Sequence, residues 1–92
     1  MESIQVTVSN SVGLHARPAA LFVQAASRFP CELTATNLTT GSEPVNAKSI
    51  LAVLTLGAEQ GHLIEIAANG EETAQALTAM RAVIESSSGE VA

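Results

Sequence analysis

The sequence predicts an α/β domain of the α+β kind: a four-stranded antiparallel sheet with three helices packed on one face, in the order βαββαβα. Three observations predict it. Apolar and polar residues alternate in short runs, which is the period of strands that bury one face only. Between those runs lie stretches with apolar residues three and four apart, bounded by proline, serine or glycine, as amphipathic helices are. At 92 residues the chain has room for one core, so the helices must cover the apolar side of a single sheet.

Ile4, Val6 and Val8 alternate with Gln5, Thr7 and Ser9 as the first strand. Residues 10–14 turn the chain. Pro18 then opens the first helix, because a proline at the first helical position forfeits no hydrogen bond and pushes its predecessor out of helical geometry. Leu21, Phe22, Ala25, Ala26 and Phe29 are spaced to face the core, and Pro30 stops the helix. Cys31, Leu33 and Ala35 alternate with Glu32, Thr34 and Thr36 as the second strand. Residues 37–44, rich in Thr, Gly and Ser, read as a tolerant surface loop leading to a short strand around Val45. Ser49 and Gly57 bracket an aliphatic run as the N-cap and C-cap of a helix of about two turns. The last strand covers residues 62–68, with Ile64, Ile66 and Ala68 on one face, and Asn69 and Gly70 turn the chain. Glu71 and Glu72 open the final helix, whose buried stripe is Leu77, Met80 and Ile84. Residues 1–86 thus read as one domain and 87–92 as a frayed tail.

Composition narrows the function. Hydrophobic residues make up 47% of the chain but aromatics 2%, so the core is built from Ala, Val, Leu and Ile. Four basic residues, a net charge of −5 and the absence of Trp and Tyr argue against nucleic acid as a partner. The chain has no Asp and no glycine-rich phosphate loop, which argues against a nucleotide hydrolase, and no His, Cys or Glu spacing suggests a metal. No cofactor is expected. Cys31, the sole cysteine, reads as a core residue in a reducing compartment, and His62 as an exposed strand-edge residue. No apolar run approaches membrane-spanning length and no signal peptide opens the chain, so the expectation is a cytoplasmic monomer without membrane insertion.

Chemistry-capable side chains crowd together in one place, Gly13-Leu14-His15-Ala16-Arg17-Pro18-Ala19-Ala20. With the helix starting at Pro18, His15 and Arg17 lie on an extended lead-in, two apart and projecting to the same side. They then sit over unpaired N–H groups at the positive end of a helix dipole, where anions bind. That end and the guanidinium both disfavour imidazolium, so the ring stays neutral and nucleophilic. Once phosphorylated, it would find its oxygens held by the same N–H groups and by Arg17. By themselves these residues fit equally well an exposed loop histidine and a solvated charge.

Gly13-Leu14-His15-Ala16-Arg17-Pro18-Ala19 resembles the active-site motif of the HPr family, the histidine phosphocarriers of the bacterial sugar phosphotransferase system. Asn46-Ala47-Lys48-Ser49-Ile50, running on to Thr55-Leu56-Gly57, resembles that family's regulatory-serine segment, in the expected order. The resemblance implies an open-faced sandwich with three helices on one face of the sheet, and a carrier rather than an enzyme. His15 would accept a phosphoryl group from phosphorylated enzyme I, with Arg17 as the clamp, and pass it to IIA components of sugar permeases. It also implies phosphorylation of Ser49 where an HPr kinase/phosphorylase exists, and binding to a catabolite-control transcription factor.

Ser49 has a simpler role as well, since capping a helix is worth about 1 kcal/mol. The run Ile50, Leu51, Val53, Leu54 and Leu56 is too apolar for a two-turn surface helix, so some of it must be exposed. Ile50, Leu51 and Leu54, with Ala16, Ala20 and Lys48, form the expected docking patch for the family's partners. Arg17, Arg28 and Lys48 are the only basic residues in that half, with Gln24 and Ser27 where lysines could stand, so attraction to acidic partners is expected to be weak. Two rival functions remain at this stage: a regulator acting through Ser49, and a small acyl-phosphate hydrolase that lacks an evident water-activating residue.

Overall fold

The structure, a computed structural model, describes residues 1–9, 13–14 and 16–86, with Ala16 and Ser86 as backbone only. Seven elements follow one another: β1 (Glu2–Thr7), α1 (Ala16–Ala26), β2 (Glu32–Asn37), β3 (Val45–Asn46), α2 (Ile50–Leu54), β4 (Leu63–Asn69) and α3 (Thr73–Ser86). The strands form one antiparallel sheet in the order β1-β4-β2-β3. The register aligns the apolar positions across it: Val6 faces Ile64, Ile4 and Ala35 flank Ile66, and Leu33 faces Ala68. Because side chains alternate along a strand, this alignment places one continuous apolar face under the helices. Phe22 from α1, Val53 from α2, and Met80 and Ile84 from α3 are fully buried on that face. Burying each of them contributes roughly 1.5–3 kcal/mol, which is why an almost aromatic-free chain can close a core. The α+β class and the helices on one side are as the alternation predicts.

Element ends differ from the expected ones, each for a local reason. Helix α1 begins at Ala16 rather than Pro18, so Arg17 lies inside its first turn and not on an extended lead-in. None of the first-turn amides has an intrahelical acceptor, so Pro18 is accommodated within that turn as easily as at its first position. Leu21, expected in the core, is 39% exposed, and Ala19 is buried instead, because the buried stripe centres on Phe22. Strand β2 continues to Asn37, which is a core position and not the start of a solvated loop. Glu72 has a left-handed backbone (φ 61°), so α3 starts one residue later, with Ala76 N–H donating to the Glu72 carbonyl at 2.9 Å. Gly70 makes that reversal possible, since a Cβ there would lie 3.2 Å from Cys31 Cα. Cys31 is buried, as expected of a core thiol. The tail expected to fray, 87–92, lies outside the described residues.

Ser49 caps α2: its backbone is extended and its hydroxyl accepts from Ala52 N–H at 3.3 Å. The helix closes at Thr55 rather than at Gly57, which takes a left-handed conformation (φ 58°) two residues further on. Lys48 Nζ donates to the Phe29 carbonyl at 2.7 Å, and Leu14 N–H donates to the Ala58 carbonyl at 2.9 Å. The segment carrying α2 therefore starts near the far end of α1 and finishes at the end where α1 begins.

Candidate functional site

The candidate site lies at the end of the molecule where α1 begins. His15 lies outside the described residues, as does the side chain of Ala16, but the chain is placed on both sides of them. On one side is Leu14, buried and tied to Ala58; on the other is the first turn of α1, which contains no acidic residue. The partial positive charge of an eleven-residue helix is thus uncompensated by its own sequence. Pro18 offers no N–H, so the amides of Ala16 and Arg17 head the helix without intrahelical acceptors. Arg17 is exposed, and among the described residues its guanidinium has no carboxylate partner. That combination is suited to an oxyanion: a guanidinium with no carboxylate partner among the described residues, beside backbone donors in an acid-free first turn.

Gly13 sets how closely this segment approaches the rest of the fold. It has φ 77°, and a Cβ added there would run into the Ala58 carbonyl oxygen and lie 3.0 Å from Glu59 Cα. Gly13→Ala is expected to cost about 2–3 kcal/mol, combining left-handed strain with displacement of the backbone at residue 58. Urea unfolding checks this through a lowered midpoint at unchanged slope.

The expected docking residues fall as follows. Ile50 and Leu54 are 39% and 37% exposed, Leu51 is 74% exposed, and Val53 and Leu56 are buried. The five-residue helix therefore divides its aliphatic run as its excess apolarity requires. Ala20 is half-buried on α1, which packs on α2. Lys48 is half-buried and committed to the Phe29 carbonyl, so its ammonium is not a free charge waiting beside Ser49. Leu21 adds apolar surface to α1 that heptad-like spacing alone assigned to the core.

His62 is not an exposed edge residue. It is half-buried, and its Nδ1 lies 3.2 Å from Glu59 N–H and 3.1 Å from the Asn37 amide nitrogen. Nothing in the local sequence signals this, because Asn37 is 25 residues away. Among the described residues no group of His, Cys, Asp or Glu could hold a metal ion, and no helix is long and apolar enough to cross a membrane.

Comparison with known proteins agrees with the motif and the fold. The family model described as PTS-HPr, the PTS HPr component phosphorylation site, matches residues 2–86. The chain is 41% identical over 81 residues to the phosphocarrier protein HPr of Xylella fastidiosa, covering 88% of each. It is 40% identical over 84 residues to the multiphosphoryl transfer protein of Haemophilus influenzae, covering 91% of this chain but only 17% of that protein. Among solved structures, HPr-C-His from Thermoanaerobacter tengcongensis superposes with a TM-score of 0.89 at 39% identity, each chain covered in full. The shared sheet and helices, and a family match running from the first strand to the last helix, place this chain in the HPr family of phosphotransferase-system proteins.

Proposed function

We propose that the chain is a phosphocarrier whose acceptor is His15. The observation that carries this reading is the bare positive end of α1: an acid-free first turn, with Arg17 exposed and without a carboxylate partner among the described residues, directly following His15. A neutral imidazole nitrogen attacks phosphorus on phosphorylated enzyme I; the N–P bond forms as the bond from phosphorus to the donor breaks. Arg17 and the amides heading α1 take up the charge of the phosphoryl oxygens. In the next encounter the phosphoryl group leaves for a IIA component and the ring returns to its starting state. The protein is a relay and does not turn over substrate on its own.

Partners dock on Ile50, Leu51 and Leu54 together with Ala16, Ala20 and Lys48, where a small aliphatic surface suits brief encounters. Ser49 is a second phosphorylation site, serving regulation by a kinase and recognition by a transcription factor. A phosphate there keeps an oxygen facing the Ala52 N–H that the hydroxyl already engages, so the cap survives modification. The chain works in the cytoplasm, where those partners are.

Incubation with enzyme I and phosphoenolpyruvate, followed by intact mass measurement, tests the carrier reading. An acid-labile, alkali-stable gain of about 80 Da, one phosphoryl group, is the expected result. No gain, or steady release of inorganic phosphate from an acyl phosphate instead, rejects it.

A further inference from the structure

We propose that Asn37 and His62 are positioning residues for the His15 segment, acting through the turn at residues 58–62; this rests on the carrier reading above. The bonding pattern carries the inference. That turn holds the chain at two places that both lie ahead of His15. At the first, Gly61 N–H donates to the Val8 carbonyl at 2.8 Å, Val8 N–H to the His62 carbonyl at 2.9 Å, and Gln60 Nε2 to the Ser9 carbonyl at 3.0 Å. At the second, the Ala58 carbonyl accepts from Leu14, the residue preceding His15, and Gly13 packs against the same oxygen.

The turn in turn is closed by a side chain. His62 N–H donates to the Glu59 carbonyl at 2.9 Å, and Glu59 N–H donates back to His62 Nδ1. A backbone N–H can only donate, so Nδ1 carries no proton and the neutral ring is protonated at Nε2. The Asn37 amide is oriented by the same logic. Its Oδ1 accepts from Thr39 N–H and Thr40 N–H, which leaves Nδ2 to donate to His62 Nδ1 and, at 3.1 Å, to the Leu56 carbonyl. Asn37 is fully buried at the end of β2. A rigid sheet position thus fixes the imidazole, the imidazole fixes the turn, and the turn fixes the chain that leads into His15. Supporting partners of this kind hold a reacting group in its productive geometry without touching the substrate.

His62→Leu removes the Nδ1 acceptor, and His62→Asn restores an acceptor at its position. With enzyme I and phosphoenolpyruvate, His62→Leu is expected to lower the rate of phosphoryl uptake about tenfold at saturating carrier, with KM unchanged. Hydrogen exchange at Leu14 should quicken about tenfold while Ile64 and Ile66 in the sheet stay protected, and His62→Asn should recover both readouts to within about twofold. Should His62→Leu fail to fold, Gln60→Ala decides, because it removes only the Ser9 contact; slowing of about two- to threefold supports the proposal and an unchanged rate overturns it. Wild-type uptake by His62→Leu, or a loss that His62→Asn does not recover, overturns the positioning role alone. A wild-type chain that takes up no phosphoryl group overturns the carrier reading, and this role with it.

Discussion

His15→Ala is expected to abolish acid-labile phosphoryl uptake, by at least about a thousandfold, because among the described residues no other imidazole is free to take its place as nucleophile. The chain has two histidines, and the second is already committed. His62 receives Glu59 N–H and the Asn37 amide at Nδ1, which forces its proton onto Nε2, so neither nitrogen presents a lone pair to phosphorus. Cys31 is buried, and a phosphoryl group on the Ser49 hydroxyl would be an acid-stable ester, distinct from the acid-labile adduct. The variant should still fold, since the core of the described residues is built from other positions. Intact mass after incubation with enzyme I and phosphoenolpyruvate should show the unmodified protein, and thermal unfolding should shift by a few degrees at most. A retained acid-labile adduct would put the phosphoryl group elsewhere and sink the assignment.

Much of the architecture could be read directly because it follows from local rules. A sheet with one wet face writes its period into the chain, and Val6, Leu33, Ala35, Ile64, Ile66 and Ala68 are all buried where alternation places them. Ser49 could be read as a cap because an extended serine before an aliphatic run has few other local uses. The strand order, by contrast, could not be read this way, since alternation is silent on which strand neighbours which. Two of the misplaced positions were settled by contacts made outside their own segments. Leu21 and Ala19 both suit a helical stripe, and the position of Phe22 against the sheet chooses between them. Asn37 looked like loop composition because asparagine favours turns, yet it makes turn contacts to Thr39 and Thr40 and long-range ones to Leu56 and His62 at once. The candidate site divides in the same way. His15 and Arg17 stand out by type and spacing, whereas the turn that braces their segment could be found only once distant residues were seen in contact.

Asn37→Leu should be the most damaging substitution to the fold among polar positions. The two side chains share a branched shape but leucine is the bulkier, so overpacking adds to the loss of hydrogen bonding. The Leu56 carbonyl, on a residue 3% exposed, is left without the amide donor, while the N–H groups of Thr39 and Thr40 lie at exposed residues and can turn to water. One buried acceptor stranded, His62 Nδ1 deprived of one of its two donors, and the Asx turn released together cost about 2–4 kcal/mol. In a domain of this size that lowers the unfolding temperature by roughly 10–20 °C, measurable by circular dichroism. Asn37→Asp separates hydrogen bonding from shape. It keeps the acceptor for Thr39 and Thr40, loses both donations, and sets a carboxylate against the Leu56 carbonyl, so it should be at least as unstable as the leucine variant. An aspartate variant as stable as the parent would mean that the amide's donations contribute nothing, and that the turn at residues 58–62 is held without Asn37.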